Sequence, residues 1–213
     1  MTPFAERLFS VFLPQLLAGI AVNFKIAGIA LVVGLALGVP LALARLRGRV
    51  TSSVAATLIG LMQAAPTFVV MYFLLNIISR DATLFGYSIA LSGVMTVALS
   101  LVPYAAAYIA DNGAEALRHL RRGAPLAALL FLPNVTRAFF VLVMSSSAGA
   151  AIGVGEGVGV ILREAERVPS LGGKFILFVI GIFLFGLALQ AGFAAMNLLM
   201  RRLGRFVTRA SAI

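Results

Sequence analysis

Four stretches of this chain run without a charged side chain for about the thickness of a membrane. Residues 26–44, 54–78, 82–110 and 175–200 contain no Asp, Glu, Lys or Arg. Crossing the hydrocarbon core as a helix takes about 20 apolar residues. The composition agrees, with 62% hydrophobic and 11% charged residues over 213 positions and a mean hydropathy of +1.07. A soluble domain carries about 25% charged residues, so lipid is the expected solvent.

Composition also removes chemistries. The sequence has no cysteine and a single histidine, His119, so disulfides, thiolate metal sites and histidine-rich metal sites are not expected. No cofactor, metal or catalytic residue is predicted. The net charge is +10, but the arginines gather at the ends of apolar runs, which is a membrane-topology pattern rather than a nucleic-acid surface. Anionic headgroups are a modest further partner. The N-terminal residues carry Glu6 before Arg7 and lead straight into an apolar run, unlike a cleaved signal.

The spans predict helices over about 16–45, 54–78, 87–110, 134–148 and 175–200, in a single transmembrane domain covering 1–213. The fourth is short, because Pro133 breaks the apolar run before it and glycines follow it. Segments after helices one, three and five hold Arg45, Arg47, Arg49, Arg118, Arg121, Arg122, Arg201, Arg202, Arg205 and Arg209. The opposite segments hold Arg7, Arg80, Arg163, Arg167 and Lys174. Positive charge concentrates on the cytoplasmic side, which predicts an outside N-terminus and a cytoplasmic C-terminus. Glycines 19, 28, 34 and 38 stud the first helix and predict close helix packing through small residues.

One polar stretch interrupts this pattern: SSSAGAAIGVGEGVGV, residues 145–160. Its glycines do not form G-x-G-x-x-G, and no strand or P-loop lysine accompanies them. A serine nucleophile needs a base in reach, and His119 falls in the opposite, arginine-rich segment. Irregular backbone inside a membrane protein fits better, and it survives only where protein or water satisfies its amides and carbonyls. Glu156 then faces a partner such as Arg137 or Arg163, or a cavity, or it caps a segment at the outer interface. Ser145, Ser146 and Ser147, with Gln63, Tyr104 and Glu156, are the candidate residues of a solute path. All are polar groups within or beside apolar segments.

These residues carry a resemblance. The chain resembles the permease subunits of bacterial ABC importers for polar amino acids. The family pattern LK-D-TSL-x-x-x-IGV-x-E aligns with VMSSSAGAAIGVGE, where Ile152, Gly153, Val154 and Glu156 match. Ser147 falls on the family serine and Ser146 on its threonine. Met144 and Ser145 stand in place of its lysine and aspartate. The opening helix is similar down to its glycine spacing and its closing ALxRxxG. QAAPTFVVMYFLL takes the place of RGTPLLVQLFFLY, with Gln63 where the family has arginine. LVPYAAAYIAD resembles LSLNSAAYLAE.

The resemblance departs at one loop. The family's ATPase-docking segment, VPKGQxEAAxALG, lies between helices three and four and is followed by LP. Here ten positions separate Gly123 from Pro133, well short of the family spacing, so the docking helix is expected to be deleted. Arg118, Arg121, Arg122, Gly123 and Pro133 are the candidate residues facing an ATPase, or Arg118, Arg121 and Arg122 anchor the topology.

The resemblance implies a type I importer transmembrane domain: an all-α membrane protein of five helices in the bacterial inner membrane. It implies a permease subunit of an ABC uptake system for amino acids or related small polar solutes. Its partners would be a second permease subunit, ABC ATPase subunits that hydrolyse ATP, and a periplasmic solute-binding protein, with no nucleic acid. The alternative is a permease-derived subunit that no longer transports and serves a membrane complex structurally or as a regulator.

Overall fold

The computed structural model describes residues 3–78, 83–84, 87–88, 90–128 and 130–210. Among them the chain is almost wholly helical. Four helices are long and apolar enough to cross a membrane, or five if one sharply bent pair counts as a single span.

Helix α1 (Leu13–Ala44) continues from two helical turns, Pro3–Arg7 and the π-helical Leu8–Phe12. Its apolar run carries Pro40 without ending, as a membrane helix can when neighbours serve the freed carbonyl. Helices α2 (Arg49–Ala64) and α3 (Thr67–Ile77) replace the single helix expected over 54–78. They meet at 89°. The cause is Pro66, which lacks an N–H and pushes its predecessor out of helical geometry; Ala65 is extended, with ψ 110.

Helix α4 (Gly93–Arg121) starts later and ends later than the 87–110 expected. Tyr87 and Ser88 instead pair antiparallel with Leu84 and Thr83. Ser92 caps α4 by accepting from the Met95 N–H at 3.2 Å. The helix runs past Asp111 because charge ends a hydrophobic run and not a helix; Ala, Glu, Leu and Arg all favour helix there. Helix α5 (Phe131–Ser145) begins before Pro133, a first-turn position that tolerates proline. It tightens into a 3₁₀ segment, Ser146–Ile152, and Gly153 turns the chain with φ +79. Helices α6 (Gly157–Arg167) and α7 (Leu171–Ala210) follow.

The chain divides into two compact units, 1–160 and 161–213. In the first, α1 and α4 pack backbone to backbone. A Cβ on Gly34 would lie 2.5 Å from that of Ala105, and one on Gly38 would lie 2.6 Å from the Ala106 carbonyl oxygen. A Cβ on Gly113 of α4 would lie 3.1 Å from that of Ala42, a looser approach. Small residues one turn apart thus let two helices approach closely, which is how helices bind without a hydrophobic drive between them. Nearby, Ile59 of α2 is buried with Ala107 and Ala110, and Leu41 and Met62 complete that cluster. The rings of Phe24 and Phe139 sit 5.9 Å apart, tying α1 to α5. In the second unit, Ile161 packs against Gly181, and Glu164 pairs with Arg167 at 3.2 Å.

Candidate functional site

Three polar side chains of the first unit are fully buried and meet one another: Asn23, Ser146 and Glu156. Each comes from a different element. Asn23 is on α1, Ser146 opens the 3₁₀ segment, and Glu156 precedes α6. The sequence brings them together through glycine. A Cβ on Gly19, one turn before Asn23, would lie 3.0 Å from the backbone of Glu156 and Gly157. A side chain there would have to push the two backbones apart by a few tenths of an ångström. Gly153, in the left-handed region that disfavours side chains, turns the chain toward that contact.

The hydrogen bonds follow helix-cap logic. The first N–H groups of a helix have no intrahelical acceptor. The Glu156 carboxylate accepts from the N–H of Val158 at 2.9 Å and of Gly159 at 2.7 Å. The Gly157 N–H donates to the Asn23 side-chain oxygen at 2.9 Å, and the Val160 N–H to the Glu156 carbonyl at 2.9 Å. The Asn23 amide donates to Glu156 at 3.0 Å and to the Ser146 hydroxyl at 2.8 Å. Ser146 donates to the Val143 carbonyl at 2.7 Å. The positive end of the α6 dipole favours the carboxylate there. No buried side-chain nitrogen or oxygen among the described residues lacks a partner.

The arrangement is a clasp. Ser146 and Glu156 spend their hydrogen bonds on the protein, and the hydroxyl of Ser146 points at a carbonyl rather than a base. Ser145 and Ser147 flank it, half-buried. Asn23 escaped the sequence reading. Its signal was available, since it is a carboxamide one turn after a glycine in a helix whose other polar neighbour is Lys25, and an intramembrane polar residue needs a partner.

Gln63 belongs to a second polar group. Arg45, at the end of α1, makes an ion pair with Asp111 of α4. Gln63, one residue before the end of α2, donates to the same carboxylate at 2.6 Å. Asp111 therefore gathers three helices. Tyr104 lies on the same face of α4, its ring 6.0 Å from that of Tyr108. A neighbouring cavity of about 110 Å³ is lined by Asn112, Glu115, His119, Leu130, Phe131 and Asn134. Glu115 pairs with Arg118 at 2.9 Å and lies 3.3 Å from His119. Arg121 donates to the Leu46 carbonyl at 3.3 Å. Gly123 takes φ +74 just past the end of α4, the usual device for turning out of a helix. Pro133 lies in the first turn of α5. Between α4 and α5 a single helical turn, Pro125–Ala128, is present among the described residues. Among those residues no group of three or more metal-ligating side chains forms.

Among the described residues the chain is almost wholly helical, with four helices, or five counting the bent pair, long and apolar enough to cross a membrane. The architecture is similar to that of a solved chain described as the crystal structure of an amino acid ABC transporter with histidines. The TM-score is 0.69, at 17% sequence identity over 95% of this chain and 99% of that one. No family model matches the sequence, and no curated protein matches it. The likeness is one of fold, and the helices of this chain are apolar enough for a multi-pass membrane protein.

Proposed function

We propose that this chain is a permease subunit of an ABC uptake system for amino acids or related small polar solutes in a bacterial inner membrane. One observation carries the reading: the likeness to a chain of an amino acid ABC transporter extends over nearly the full length of both. A second permease subunit completes the pathway, partner ATPases hydrolyse the ATP, and a periplasmic binding protein delivers the solute. In this reading Asn23, Ser146 and Glu156 position the segment after α5. Gln63, Tyr104, Ser145 and Ser147 remain the candidates to meet solute, and the Arg45–Asp111–Gln63 group holds three helices together as they move.

The short α4–α5 connection supports the alternative, a permease-derived subunit that serves a membrane complex without transporting. A coupled transporter needs a rigid contact to its ATPase, and one helical turn offers little of it. Purification from mild detergent separates the readings. A transporting permease is expected to bring an ABC ATPase with it, and a reconstituted complex to take up labelled amino acid in an ATP-dependent way. Recovery of a stable complex without any ATPase would favour the structural subunit and sink the transport reading.

A further inference from the structure

We infer that the end of α1, the start of α2 and the end of α4 together form a discrete seat for an anionic phospholipid. Six arginines lie in these segments. Two are matched by acids: Arg45 by Asp111 and Arg118 by Glu115. Arg121 reaches across to the Leu46 carbonyl at 3.3 Å, which brings the end of α4 to the α1–α2 turn. Arg47 and Arg49 flank that turn and Arg122 adjoins Arg121. All four of these guanidinium-bearing residues are exposed. Such a cluster attracts phosphodiester anions, and arginine binds phosphate through paired N–H groups.

A second, independent feature says that the anion carries acyl chains. Helix α2 buries Ala55 and Ile59 and leaves Val50, Val54, Leu58 and Leu61 exposed, from 43% to 79%. At 3.6 residues per turn these four share one face, and the stripe begins at Val50, next to Arg49 at the start of the helix. An apolar stripe leading away from a guanidinium cluster is the complement of a headgroup with its tails. A second copy seated on this face by the same surface fits poorly, because it would set Arg47, Arg49 and Arg122 against their own counterparts.

The test uses the full chain in detergent, with dioleoyl phosphatidylglycerol and dioleoyl phosphatidylcholine added in equal amounts and retained lipid weighed by native mass spectrometry. Phosphatidylglycerol is expected to dominate. Each of R47Q, R49Q, R121Q and R122Q should lower its affinity about fivefold, whereas R47K should retain most of the preference. Val54→Ser with Leu58→Ser should weaken retention of the lipid without altering the choice between headgroups. Equal retention of the two lipids would overturn the proposal, as would a preference untouched by the glutamine variants. Efficient displacement by glycerol 3-phosphate, or retention indifferent to the serine variants, would reveal a plain anion site and overturn it too. An acidic protein co-purifying in place of lipid would do the same.

Discussion

The Asn23 carboxamide donates to the Glu156 carboxylate at 3.0 Å across 133 positions of sequence. The same side chain accepts from the Gly157 N–H and donates to Ser146. One residue of α1 therefore holds both the 3₁₀ segment and the start of α6. Replacing it by leucine leaves a buried N–H unpaired and removes a donor from a buried carboxylate. A hydrogen bond to a charged group contributes about 1.5–3 kcal/mol, and the variant is expected to lose at least that in a detergent unfolding titration. N23D, which sets two carboxylates together, should fare worse.

Glu156→Gln keeps the shape and removes the charge. One side-chain oxygen must then serve amides that two served before, and the attraction to the helix dipole is lost. The expected cost is about 1–2 kcal/mol. It should be local, with the Val158 and Gly159 amides exchanging with solvent roughly tenfold faster while the middle of α4 stays protected. Unchanged exchange at those two amides would contradict the capping role.

Two glycines of the same helix predict opposite outcomes. Gly38→Ala forces a methyl against the Ala106 carbonyl and Ile109, whereas nothing lies within 4 Å of a Cβ on Gly28. G38A should lower the melting temperature by several degrees, and overpacking of this kind costs about 1–3 kcal/mol. G28A should leave it unchanged or raise it slightly, since alanine is the better helix former. Parallel melting curves of the two variants check this directly.

The Asp111 group is half-exposed, so its disruption should be mild. Exposed ion pairs contribute about 0–1 kcal/mol. Asp111→Asn and Gln63→Ala are each expected to shift stability by less than about 1 kcal/mol, with the aspartate effect shrinking in high salt. If either acts through the solute path instead, ATP-dependent uptake will fall while the melting temperature stays put.

Much of this architecture was legible because hydrophobic length needs no tertiary information. Uncharged runs placed α1, α4 and α7 near where they lie, Pro133 was visible as an irregularity, and Pro66 lies inside the uncharged run 54–78. What those prolines do was less clear. A lone proline either kinks a helix mildly or splits it, and only the extended geometry at Ala65 tells the two apart. The end of α4 was misjudged at Asp111 because burial and helicity were treated as one property. Of the candidate residues, Ser146 and Glu156 meet, but through Asn23, which lies far away in sequence. No periodicity links position 23 to 146 and 156. Gln63 turned out to bond Asp111, the acid that follows the uncharged run 82–110.

The clasp also sets an order for biosynthesis. Asn23 leaves the ribosome long before its partners, since Glu156 is made 133 residues later. A carboxamide delivered early into hydrocarbon must borrow hydrogen bonds from water, a lipid ester or the insertion machinery until then. The first helix thus waits for a late segment to release it from those stand-ins, and a chain truncated before Glu156 should linger with whatever escorts it.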